Sequence, residues 1–306
     1  MPHATTPPPL GLPGLPRPPR PRAAEPRAVH VSIAATPTRD VAGEETALVG
    51  WLNGGPARPA AVPSRPFERG VEGRPTLVQN VETLAHLAQL ARHGAEWFRL
   101  LGSDAEPGTR LVTVTGAVER PGVFEIAVGT AVGEVVEQAG GSPGALRALL
   151  VGGFFGTWLD ASRAWPLPFS HDGLAAAGGG PGAGVVIALP NGACGIAETA
   201  RLLRWYAAEG AGQCGPCTFW LAALVRGVDA LAAGTASPSE VARLHRWCGE
   251  IEGRGACRHP DGAARLLRGA LELFSEGVWL HAAGRACAGS TRPLVVGVPD
   301  STLGWR

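Results

Sequence analysis

The chain contains no lysine: all 27 of its Lys-or-Arg residues are arginine, in a sequence of 306. With 44 glycines, 28 prolines and abundant alanine, this reads as a compositional bias. Charge of either sign is not in excess. The formal net charge is +1, which makes no electrostatic case for nucleic acid or an anionic membrane surface as a partner. No run approaches the roughly 18 apolar residues of a membrane helix, so membrane insertion is not expected. The N-terminus lacks the continuous apolar core of a secretory signal. Cysteine is scarce too: six in a chain this long are too few for a disulfide scaffold. Two of them form a C-x-x-C pair, which favours a reducing compartment and metal or redox use. The expectation is a cytoplasmic protein long enough for two or three domains.

Residues 1–28 are rich in proline and arginine (P-P-P-L-G-L-P-G-L-P-R-P-P-R-P-R) and bury too little to offset their ordering entropy, so they are expected to be disordered. Ala28–Ala34 alternates like a short strand. A helix is expected from about Ala42 to Leu52, with Glu44 and Glu45 as ordinary first-turn charge, stopped by Asn53-Gly54-Gly55-Pro56. Arg74 to Leu84 leads into an apolar-faced helix ending near His93. From Arg110 the period becomes two: Leu111–Thr115 and Val123–Ile126 flank the turn Glu119-Arg120-Pro121-Gly122, giving a hairpin. A helix over 130–139, a strand at Leu149–Val151 and another at Val185–Leu189 complete a compact α+β unit. The glycines of Val151–Gly156 lack the spacing and lysine of a phosphate loop.

Beyond residue 191 the period is helical. Ile196, Ala200, Leu203 and Ala207 share one face; Leu221, Leu224, Val225, Val228 and Leu231 share another. Ser237-Pro238-Ser239-Glu240 has the form of a capping box with proline at the first helical position. A third helix carries Val241, Leu244, Cys248 and Ile251 inward. A fourth runs from about Asp261 through Val278. Four such helices predict a small bundle.

The cysteines fall into two classes. Cys248 lies on an apolar stripe and reads as a buried small hydrophobe. Cys194 and Cys287 are isolated near the bundle ends and read as inert. Cys214, Cys217 and Cys257 sit in glycine-containing loops at helix starts, where anionic sulfur is favoured. Cys214-Gly215-Pro216-Cys217 alone matches a thioredoxin-type redox pair, but a helix rather than a strand precedes it. A zinc site from Cys214, Cys217, Cys257 and either Cys248 or His259 has the right ligand count. An iron–sulfur cluster is the third reading.

Four ordered segments carry a resemblance: A-G-E-E-T-A-L (42–48), G-R-P-T-L-V-Q-N-V-E-T-L (73–84), V-T-G-A-V-E-R-P-G-V-F-E (114–125), and G-Q-C-G-P-C (212–217) with I-E-G-R-G-A-C (251–257). In these the chain resembles the NADH-binding, flavin-carrying subunit of respiratory complex I and its relatives in bacterial hydrogenases and formate dehydrogenases. The resemblance implies an α+β multi-domain fold: a flavin-domain remnant (29–107), a β-grasp, SLBB-like domain (108–190), a C-terminal four-helix iron–sulfur bundle (191–288) and a tail (289–306). It implies a [4Fe–4S] cluster on Cys214, Cys217 and Cys257, and places Glu44, Glu45 and Asn80 in a flavin and NADH pocket. Three departures qualify it. The family's Gly-rich flavin loop and flavin-contacting lysine have no counterpart, so FMN and NAD would need another chain. Ala211 stands where the family has its first cluster cysteine, which implies a labile cluster with a three-iron form and makes Glu209, otherwise a solvated helix end, the nearest spare carboxylate. Gln79 replaces one of a pair of asparagines. The function implied is electron transfer beside a redox partner subunit, as part of an NADH dehydrogenase (quinone)-type complex, without NADH oxidation by this chain alone. The alternative is a non-enzymatic, degenerate partner-binding module, with or without structural zinc.

Overall fold

The computed structural model of the protein describes residues 30–298, apart from 62, 63, 286, 288, 291, 292 and 294. The segment 1–28 expected to be disordered therefore lies outside the described residues, as does most of the tail. The strand expected over 28–34 is absent from its described part. His30–Ala34 is irregular, and Val31 and Ile33 are exposed: their alternation has no sheet to face.

A 3-10 turn at Asp40–Gly43 leads into helix α1 (Glu45–Leu52). Glu44 is its N-cap, its carboxylate accepting from the backbone N–H groups of Thr46 and Ala47, which satisfies two orphan donors. Helix α2 (Val81–Phe98) starts later and ends later than the sequence suggests, and is interrupted at Gly94, whose φ of 84° is left-handed. Its apolar face finds nothing to cover it: no α2 residue is buried, and Val81, Leu84 and Leu87 are exposed.

The hairpin forms as its period-two pattern implies, β1 (Thr109–Gly116) against β2 (Gly122–Ala127), followed by α3 (Val132–Gln138) and β3 (Leu146–Val151). Sequence periodicity does not reveal β4 (Thr157–Asp160) or the short helices α4 (Ala161–Ala164) and α5 (His171–Ala175). With β5 (Val185–Pro190) the strands make one mixed sheet in the order β2-β1-β5-β3-β4; β1 and β5 are parallel and every other neighbouring pair is antiparallel.

Both faces of the sheet are buried at β3 and β5, which are mostly continuous apolar runs, whereas β1 and β2 alternate and bury one face, leaving Leu111 and Val123 exposed. Alternation assigns the faces. Val112, Val114, Leu149, Val151, Val186 and Ala188 face α3, whose Val132, Val135 and Val136 close that core. Ala148, Leu150, Ile187 and Leu189 face the other way, into a second core shared with the helices of the C-terminal half.

Those helices are α6 (Gly195–Glu209), α7 (Leu221–Ala232), α8 (Pro238–Ile251), α9 (His259–Leu273) and α10 (Ser275–Ala282). The single fourth helix expected from the sequence is two, divided at Phe274. The capping box at Ser237 and Glu240 is formed in both directions. Trp158 on β4 donates its indole N–H to Thr199 on α6 across the shared core, at 3.1 Å.

A buried polar knot fixes three distant segments together. Glu209, at the end of α6, pairs with Arg39 at 3.0 Å and accepts the Asp40 backbone N–H at 2.9 Å. The Asp40 carboxylate lies 3.2 Å from His259 Nδ1, and His259 Nε2 donates to the Tyr206 carbonyl at 2.8 Å. Glu209 and His259 are each 3 % exposed. Phe155, from the loop between β3 and β4, stacks edge-on to both Tyr206 and His259, so the sheet enters the same cluster.

This packing is open to two tests. A Cβ built on Gly262 of α9 would lie 1.8 Å from the Phe155 ring. Gly262→Ala should therefore lose about 1–3 kcal/mol in denaturant unfolding despite alanine's better helix propensity. In a Phe155→Ala background the same change should turn neutral or stabilising, by up to about 1 kcal/mol. Glu209→Ala leaves Arg39 in a buried site without that carboxylate and should cost about 3–5 kcal/mol. Unchanged midpoints for Glu209→Ala would mean the knot contributes nothing.

Candidate metal centre

The three loop cysteines come from two helix junctions. Cys214 follows the loop that leaves α6, and Cys217 lies in a wide π-type turn, Pro216–Trp220, that feeds α7. The Cys214 carbonyl accepts the Thr218 N–H at 2.9 Å, which holds the turn. Cys257 sits two residues before α9. All three are half-buried and unpaired by any disulfide.

The sulfurs sense one another. Burial pushes the Cys217 thiol up to about 12, reinforced by the neighbouring Cys214 sulfur and by Cys257. Burial likewise raises the Cys257 thiol, with Cys214, Glu44 and Asp261 adding to it against the His259 N–H. Cys214, Cys217 and Cys257 are thus near enough to act on one another's charge, but their three sulfurs do not all lie within 4.8 Å of one another. Ala211, where a fourth sulfur would stand, is buried at the start of the first loop. A Cβ on its neighbour Gly210 would lie 3.6 Å from the Cys217 sulfur, so this backbone passes directly beside the group.

The remaining candidates resolve differently. Glu209 is not a solvated helix end: it is buried and held by Arg39 and Asp40, because a carboxylate there closes the knot between α6 and the N-terminal segment. His259 has both ring nitrogens engaged, and Cys248 is fully buried in the helical core, its thiol pushed up to about 12 by burial. Neither is placed as a fourth zinc ligand. Asp261 bonds the Gly253 N–H and Arg258. Glu45 pairs with Arg65 at 3.3 Å, and Asn80 is the exposed N-cap of α2 without a capping bond.

Cys194 and Cys287, isolated in sequence, are not isolated in space. Their sulfurs and an imidazole nitrogen of His281 all lie within 4.8 Å of one another. No local spacing signals this trio, since Cys194 and His281 are 87 positions apart.

Residues 197–281 match the NADH-ubiquinone oxidoreductase-F iron-sulfur binding region, a span that includes all three loop cysteines, and residues 111–148 match the SLBB domain. The second NADH-quinone oxidoreductase F subunit of Rhizobium meliloti is 31% identical over 250 residues, which is 81% of this chain and 59% of that protein. The corresponding F subunit of Salmonella typhimurium is 32% identical over 242 residues, covering 78% of this chain and 54% of its own length. A crystal structure of an NAD+-reducing [NiFe]-hydrogenase in the H2-reduced state superposes with a TM-score of 0.73 at 30% identity, over 81% of this chain and 42% of that one. The chain thus spans under two thirds of the length of these relatives. Among the described residues no helix is long and apolar enough to cross a membrane. The chain is a homologue of the F subunits of NADH-quinone oxidoreductase and has their SLBB and iron–sulfur binding regions.

Proposed function

We propose that this protein is an electron-transfer subunit, or part of one, in which Cys214, Cys217 and Cys257 hold an iron–sulfur cluster. One observation carries the reading: three thiols from two helix junctions lie near enough to act on one another's charge, within the span matched by the iron–sulfur region. The donor chemistry fits, since half-buried thiolates are the ligands such clusters take. The fit is to three irons of a cubane. Ala211, which by the resemblance takes the place of a fourth thiolate, offers no ligand atom, while Glu209, Asp261 and His259 are engaged elsewhere. Water or a partner's donor is left for the fourth corner.

A bound cluster supplies a one-electron site. The chain's own work is to place it and tune it. The His259 backbone N–H, which favours negative charge on Cys257, would favour the reduced, more negative state of a bound cluster, and the helix N-termini behind Cys217 and Cys257 would act in the same direction. The polar knot keeps the two loops in register. Glu44, Glu45 and Asn80 are assigned to the edge of a flavin and NADH pocket. The nearness of the Glu44 carboxylate to Cys257 supports this for the start of α1. The domain limits follow the same reading: a flavin-domain remnant to residue 107, a β-grasp domain to 190 and the cluster-bearing helices beyond. The partner is a redox subunit that completes the pocket. A non-enzymatic module with zinc in these loops is the second reading, weakened by the engagement of His259 and Cys248.

Anaerobic reconstitution of the full chain tests the assignment. The parent should take up iron and sulfide, show a visible thiolate-to-iron band, and lose iron in air to a three-iron form seen by paramagnetic resonance. Ala211→Cys should slow that loss, and Cys217→Ser should abolish uptake; a parent that takes up only zinc in these loops overturns the reading. A second measurement addresses the hydride half. These 306 residues alone are expected to retain no FMN through purification and to reduce no dye with NADH. Stoichiometric FMN with NADH-dependent dye reduction would refute that.

A further inference from the structure

A second soft-ligand group lies at the opposite end of α6 from the cysteine loops. Cys194 is the N-cap of α6, its sulfur accepting the Ala197 N–H at 3.4 Å, where the helix N-terminus favours negative charge. His281, on the last turns of α10, is 1 % exposed, and its Nε2 lies 3.5 Å from the Cys194 sulfur. Cys287, half-buried, comes from the segment after α10, and its sulfur lies within 4.8 Å of the Cys194 sulfur.

The distances match a metal. With Zn–S near 2.3 Å and Zn–N near 2.05 Å, tetrahedral angles set the S···N edge at about 3.6 Å and the S···S edge at about 3.8 Å. The Cys194–His281 separation is 3.5 Å, and all three donor atoms fall within 4.8 Å of each other. A lone S···N hydrogen bond would also be about this long; the third donor converging on the same point is what a hydrogen bond does not explain.

The segment carrying Cys287 is fitted to this position by its backbone. A Cβ on Gly289 would lie 2.4 Å from the Ala193 carbonyl carbon and the Cys194 nitrogen, so only glycine fits against the start of α6 at this position. Ser290 returns N–H and hydroxyl hydrogen bonds to the Cys287 carbonyl, at 3.1 and 2.8 Å. Farther on, Glu198 of α6 accepts the backbone N–H groups of Val295 and Val296. Gly289 and the pair Val295 and Val296 are thus each held against α6 or its start, and Cys287 lies two residues before the first of these contacts.

We propose that Cys194, His281 and Cys287 form a zinc site that fastens the segment after α10 to the start of α6. Two thiolates neutralise the ion, the neutral imidazole is the third ligand, and water fills the fourth position. Binding one Zn2+ releases two thiol protons to solvent. The site is separate from Cys214, Cys217 and Cys257, and its failure would leave the iron–sulfur assignment untouched.

The test uses the full chain with Cys214→Ser and Cys217→Ser, so that the other loops cannot take the metal, and Zn2+ or Co2+ alone as the probe. Expected are about one equivalent of zinc after desalting, a raised melting temperature with zinc, and a thiolate-to-cobalt absorption band with Co2+. Cys287→Ser and Cys287→Ala should each remove the stoichiometric zinc, the band and the zinc-dependent shift. Gly289→Ala, which changes no ligand, should weaken binding about 10- to 100-fold, as loss of a supporting contact does. Retention of full zinc in the Cys287 variants overturns the proposal. So does absence of zinc from the reduced protein, or a Cys194–Cys287 disulfide, seen as a loss of two hydrogens in mass, that persists when zinc is offered.

Discussion

The buried carboxylate of Glu209 is the constraint on which the rest of the arrangement depends. A negative charge inside a protein is tolerated only when it is paired and hydrogen-bonded. Arg39 and the Asp40 N–H meet that requirement from the far end of the chain, and Asp40 passes the connection on to His259. Residue 209 opens the first cysteine loop and residue 259 follows the second. The charge pairing therefore sets the distance between the two loops before any metal is considered.

Aromatic packing supplies the second support. Phe155 lies against Tyr206 and His259, and it leaves the sheet where β3 ends. The sheet is thus more than a neighbouring domain: one of its faces is a wall of the helical core, through Leu150, Ile187 and Leu189. A shift of the sheet relative to α9 would move His259, and with it the start of the helix that Cys257 precedes by two residues.

Much of this is legible in the sequence, and the limits have physical reasons. The hairpin and β5 announce themselves by period and β-branching, and the capping box at Ser237 by local chemistry. C-x-x-C with Cys257 is legible because loop cysteines beside glycine have few structural uses. β4 is four residues long after a glycine run, too short for any period to show. Glu209 reads as solvated because its partners lie about 170 positions away, and burial of a charge is a tertiary fact. The Cys194, His281 and Cys287 group escapes for the same reason: each residue is unremarkable in its own neighbourhood. The alternation at 28–34 misleads because it has no partner strand among the described residues.

The bare apolar flank of α2 has a consequence for cooperativity. A helix of this length in water owes most of its persistence to tertiary burial rather than to propensity. α2 buries no residue, whereas α6 and α9 are buried along most of their length. Its amides then open in small local excursions, while those of α6 and α9 open only with the whole core. Amide hydrogen exchange in this chain should therefore split into two tiers, and the cysteine loops, each anchored at one end to a slow helix, should stay native while α2 melts and re-forms.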